Sequence, residues 1–150
     1  MRISGGVRSR VLAIAIVAAI APIAAAGTSS FPQGRSVWDG IYTLEQAERG
    51  EPLYSKECAR CHGPDLMGGE MAPALSGGEF VWNWNGLTVG ALFERLRTSM
   101  PQDKPRSVSR QDKANILAFI LFANEFPAGK TALKSRTEFL NQISFEAVKP

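Results

Sequence analysis

The sequence is poor in the residues that build metal clusters and disulfide frameworks. It has one histidine, His62, and two cysteines, Cys58 and Cys61, in 150 residues. A disulfide framework needs more pairs, spread along the chain. A structural zinc site built on the two thiols needs two further ligands, and beyond His62 the chain offers no other Cys or His. A redox dithiol calls for a thioredoxin-like strand and helix around it, and no strand pattern competes anywhere. Net charge is also scarce once the first residues are set aside. Of 17 Lys and Arg, three (Arg2, Arg8, Arg10) lie in the first ten residues, so the remainder matches the 14 Asp and Glu. The pI near 9.1 therefore gives no reason to expect nucleic acid or acidic lipid as a partner.

The first residues carry those three arginines and then an uncharged apolar run from Val11 to Ala26. Ala24-Ala25-Ala26 puts small residues at the exit. This pattern predicts a secretory signal peptide over 1–26, cleaved before Gly27, and hence a periplasmic protein. The run is interrupted by Pro22 and is shorter than the roughly 20 residues that span a bilayer. The alternative is an uncleaved membrane anchor facing the periplasm, the one route by which the chain would touch a membrane.

Residues 27–41 are rich in Gly, Ser and Pro without an apolar period and read as a linker. Thr43-x-x-Gln46 is a capping box that opens a helix through Ala47 and Tyr54 towards Cys58. Residues 63–78 hold five glycines and two prolines and read as loop. Thr88 caps a second helix with Leu92, Phe93 and Leu96 on its apolar face, stopped by Pro101. Ser109-x-x-Asp112 begins the strongest helix, with Ile116, Leu117, Phe119, Ile120 and Phe122 as its buried face, ending before Pro127. Residues 128–150 read as an arm lying over the surface of a 42–127 domain. The expectation is an all-α fold of three to four helices, whose core is too thin unless something large fills the middle.

Cys58-Ala59-Arg60-Cys61-His62 supplies that filler. Two thiols three residues apart on one helical turn can form thioethers with the two vinyl groups of a porphyrin, and the following histidine lies under the iron. The motif predicts one covalently bound haem c with its iron.

The surroundings resemble the class I cytochromes c, and the likeness runs from about Tyr42 to the end of the chain. Gly50, Tyr54 and Cys58 stand at intervals of four, as that family's helix-crossing glycine, aromatic and first cysteine do. The resemblance implies a cytochrome c fold in which Gly50 meets Ile116 and Phe119 on the last helix. It implies that the Pro73 carbonyl, eleven residues after His62, accepts the histidine N–H. It makes His62 and Met100, in Thr98-Ser99-Met100-Pro101, the axial ligands, with Met67 and Met71 as competitors in the loop that must also deliver Pro73. Trp82-Asn83-Trp84-Asn85-Gly86, Leu92 to Arg97, and Phe126-Pro127-Ala128-Gly129-Lys130 look like small periplasmic cytochromes that accompany quinoprotein alcohol dehydrogenases. Trp84, with Trp82, is then either a haem-propionate contact or core filler. Arg95 and Arg97 are either propionate partners or a solvated face.

The function implied is electron carriage by a chain that is not itself an enzyme, between redox partners such as a periplasmic dehydrogenase or a terminal oxidase. A dedicated electron-accepting subunit of a quinoprotein-type dehydrogenase is the alternative. A haem peroxidase or sensor would need a distal histidine or acid pair that the sequence lacks. Six basic residues between Arg95 and Lys113, against Asp103 and Asp112, predict a positive face beside the Met100 loop made by Lys104, Arg106, Arg110 and Lys113. Four acids between Glu45 and Glu57 predict a negative first helix.

Overall fold

The computed structural model describes residue 1 and residues 34–150. The signal segment 1–26, and the linker as far as residue 33, fall outside the described residues apart from Met1. Helices α1 (Leu44–Glu57), α2 (Ala59–His62), α3 (Gly77–Trp84), α4 (Val89–Ser99), α5 (Arg110–Ala123) and α6 (Thr137–Leu140) are preceded by a two-residue strand β1 (Arg35–Ser36) and followed by another, β2 (Ile143–Ser144). The fold is all-α, with α2 and α6 only one turn each.

Side chains cap three helices as their sequences require. Thr43 accepts from the Gln46 N–H at 3.3 Å, Thr88 from Ala91 at 3.0 Å and Ser109 from Asp112 at 3.0 Å, each satisfying an orphan donor of a first turn. The reciprocal half of the first box is missing, because the Gln46 side chain is used elsewhere. It is fully buried, donates to the Leu133 carbonyl at 3.0 Å and accepts from the Leu133 N–H at 2.7 Å.

That contact corrects the picture of 128–150 as an arm over the surface. Leu133, Leu140, Ile143 and Phe145 are buried in the same core as α1, α4 and α5. The arm also pairs with the supposed linker. β1 and β2 run parallel in the register Arg35↔Ile143 and Ser36↔Ser144. The Trp38 indole donates to the Glu146 carbonyl at 2.9 Å, and Val37 and Ile41 are buried. Residues 35–41 are therefore part of the domain, since their few apolar side chains all find core partners. Phe126 joins the two segments, with Trp38 at 4.8 Å and Phe145 at 5.2 Å between ring centroids.

α1 crosses α5 where Gly50 leaves room. A Cβ on Gly50 would lie 2.0 Å from the Asn115 carbonyl oxygen and 2.9 Å from the Phe119 Cβ. The partners are thus Asn115 and Phe119. Ile116, one residue beyond Asn115, turns into the core instead. Phe122, expected on the buried face of α5, is half exposed, because Lys113, Ile116, Leu117, Ile120 and Leu121 take the inner surface.

Candidate functional site

A cavity of about 690 Å³ opens between α1–α2, the loop 63–76 and α4–α5. Pockets of roughly 300–1,000 Å³ hold a single cofactor-sized molecule. Cys58, Cys61 and His62 line one wall. The short helix α2 puts both sulfurs and the imidazole on one turn, as the motif requires. Both thiols are free. Burial, helped by the neighbouring Glu57 carboxylate, pushes the Cys58 thiol up to about 11. A redox dithiol needs a thiolate stabilised near neutral pH, so this environment speaks against that chemistry. Among the described residues no group of three or more Cys, His, Asp or Glu is arranged to hold a metal ion.

His62 is almost fully buried, and its Nδ1 lies 2.8 Å from the Pro73 carbonyl oxygen. With Nδ1–H donating there, the Nε2 lone pair is left for a metal, and the ring is held in one orientation. The loop that delivers Pro73 is pinned at several points. The Tyr54 hydroxyl donates to the Gly63 carbonyl at 2.6 Å, Gly68 N–H to His62 O at 2.8 Å, and Leu75 N–H to Leu66 O at 2.7 Å. Asn124, at the end of α5, donates to the Leu75 carbonyl at 2.9 Å and accepts from the Gly77 N–H at 3.0 Å.

Another wall comes from α4 and the chain after it. Leu92, Leu96, Met100 and Pro101 line it, and Leu117 and Ile120 of α5 close the floor. Met100 is half-buried there. Met71 also lines the cavity but is 74% exposed, while Met67 is outside the lining and its sulfur accepts from the Ser76 hydroxyl at 3.5 Å. The mouth is crossed by two loose ion pairs between the attachment segment and the Met100 loop, Arg60–Asp103 at 3.4 Å and Lys104–Glu57 at 3.6 Å.

Trp84 and Arg95 line the cavity, whereas Trp82 is 62% exposed and outside it. Arg97 turns away as well, its Nε donating to Glu94 at 2.9 Å. Asn83 and Gln102 also line the cavity and carry no sequence signal beyond their neighbours. Lys113 is not on the positive face. It is 2% exposed, and its Nζ donates to two backbone carbonyls behind the Met100 loop. Lys104, Arg106 and Arg110 remain exposed.

The match to known proteins follows this geometry. A family profile described as "Cytochrome C oxidase, cbb3-type, subunit III" matches residues 45–120, just over half of the chain and the whole of the cavity's main walls. The chain belongs to this cytochrome c family. It therefore carries covalently bound haem c with its iron, and it is an electron carrier rather than an enzyme. The free thiol pair, the buried imidazole and the apolar cavity fit that group.

The chain is also similar to the "Cytochrome bc1 complex cytochrome c subunit" of Corynebacterium diphtheriae, 30% identical over 99 residues, which are 64% of this chain and 34% of the relative. It thus spans about a third of that relative's length. Among solved structures it is similar to a chain of the sulfane dehydrogenase SoxCD from Paracoccus pantotrophus. The TM-score is 0.48 at 23% identity, with 79% of this chain and 66% of that chain covered.

Proposed function

We propose that the haem is held through thioethers to Cys58 and Cys61, with His62 and Met100 as axial ligands, and that the chain passes single electrons in the periplasm. The observation that carries this reading is the convergence of all four side chains on one apolar cavity, with the His62 ring already oriented by Pro73. When bound, the haem supplies an iron that cycles between ferric and ferrous. The chain's own residues do the rest. His62 offers Nε2, and its bond to Pro73 raises the basicity of the ring. Met100 offers a neutral sulfur, which raises the potential relative to a second imidazole. Leu92, Leu96, Leu117 and Ile120 keep water away, so little has to reorganise when charge changes. Trp84 and Arg95, both in the cavity lining, would donate to haem carboxylates.

The periplasmic assignment rests on the basic, apolar, small-residue pattern of 1–26, with an uncleaved anchor as its alternative. Attachment to a larger electron-transfer complex is favoured by the relative named as a subunit of one. A periplasmic dehydrogenase, of the quinoprotein type that the sequence resembles, or a terminal oxidase is the class of partner proposed.

The axial assignment is tested by Met100→Ala and Met71→Ala in the ferric holoprotein. Met100→Ala should abolish the weak sulfur-to-iron band at the red end of the visible spectrum and open the iron to cyanide. Loss of that band in Met71→Ala, with Met100→Ala unchanged, would transfer the assignment to Met71.

A further inference from the structure

On α5, Lys113 shares a face with Ile116, Leu117 and Ile120, three and four residues apart, all buried. A lysine there is costly unless its ammonium is bonded. Among the described residues no carboxylate pairs with it. Its Nζ donates instead to the carbonyls of Arg97, at 3.0 Å, and Pro105, at 2.5 Å. The Arg97 carbonyl lies in the last turn of α4, where an acceptor would normally receive the N–H four residues on. Residue 101 is proline and has none. The ammonium takes that place, at the helix end where the backbone dipole favours a cation. Its second bond reaches the far side of residues 98–104, the segment that holds Met100. Burial, and after it the Arg97 guanidinium, lower the pKa of Lys113.

We infer that Lys113 is a positioning residue for the iron's distal ligand: one buried ammonium fastens both feet of the Met100 loop to α5 and so sets how readily Met100 leaves the iron. This rests on Met100 being that ligand. A loop closed only by Arg60–Asp103, exposed on both sides, and Lys104–Glu57, long and open to water at the lysine, would open easily, since such pairs contribute little. The two charge-assisted bonds inside the fold are the stronger restraint.

The test is the rate at which imidazole replaces the thioether in the ferric holoprotein, for the parent, Lys113→Met, and Leu121→Ala. Leu121 is fully buried but does not line the cavity, so its truncation lowers stability without touching the loop. Lys113→Met should bind imidazole at least about tenfold faster, and Leu121→Ala should bind it at close to the parent rate. Adding Lys113→Met to Met100→Ala should change nothing further, because there is no thioether left to hold. An unchanged rate in Lys113→Met, or an equal acceleration in Leu121→Ala, would overturn the inference. Retention of the thioether band in Met100→Ala would instead overturn the ligand assignment. Should Lys113→Met fail to fold, the parent decides by nitrogen-15 NMR. The Lys113 ammonium hydrogens should exchange far more slowly than those of Lys104, and equally fast exchange would overturn it.

Discussion

His62 Nδ1 and the Pro73 carbonyl oxygen are 2.8 Å apart across eleven residues of chain, and the loop between them is built to keep them so. Gly68 is the tightest point of that loop. Its φ is +73°, and a Cβ there would lie 2.5 Å from Ala74 N and 2.7 Å from the Pro73 carbonyl carbon. Gly68→Ala should therefore push Pro73 off the imidazole at a cost of about 1–3 kcal/mol. A ring relieved of that bond is a weaker donor and favours ferric iron less. The reduction potential of Gly68→Ala should rise, measured by redox titration of the holoprotein. An unchanged potential with a lowered unfolding midpoint would mean that Pro73 only supports the loop.

The acid limb of stability should depend on Glu94. Its carboxylate accepts from the Arg97 guanidinium and, at 2.9 Å, from the Thr137 hydroxyl of α6. Those bonds, Arg97 first, hold its pKa at about 2, well below its ordinary value. A carboxylate with a depressed folded pKa contributes stability that is fully present above the unfolded pKa. The contribution is lost as pH falls from about 4.5 to about 2. Because more than a third of each side chain is open to water, solvent screening keeps the pair's worth small. Glu94→Gln should flatten that part of the stability curve, read from denaturant midpoints at pH 2 to 6. The parent and Glu94→Gln tracing parallel curves would contradict it.

The positive face is smaller than the residue count suggests, with Lys113 inside the fold and Lys104 leaning on Glu57. Arg106 stays exposed beside the Met100 loop, with Arg110 exposed at the start of α5. Oxidation of the reduced protein by anionic ferricyanide should slow with added salt, and Arg106→Glu should slow it several-fold at low salt and hardly at high salt. Stopped-flow rates insensitive to both changes would remove this face from docking.

What the sequence made legible was local. Thr43, Thr88 and Ser109 cap their helices within three residues, and Cys58-Ala59-Arg60-Cys61-His62 carries its geometry in one turn. The His62–Pro73 contact and the place of Met100 in the cavity lining were legible only through family resemblance, which supplies long-range partners that periodicity cannot. The β1–β2 pairing was invisible, since two-residue strands more than a hundred positions apart leave no alternating pattern. α3 was hidden by the glycines at its start. Gln46 fits a capping box locally, and nothing near it in sequence hints at Leu133. Lys113 carries a signal of burial in the sequence: its spacing from Ile116, Leu117 and Ile120 is that of a core position, and Pro101 leaves an acceptor open four residues back.

Covalent attachment of one haem through Cys58 and Cys61 is tested most directly by mass. The protein, made in cells with haem-attachment machinery, is denatured in detergent, extracted with acidic organic solvent and digested. The peptide spanning Cys58–His62 should carry the mass of one haem, and the intact chain should exceed the apoprotein by the same amount. A colourless chain whose Cys58 and Cys61 are joined in a disulfide would contradict it.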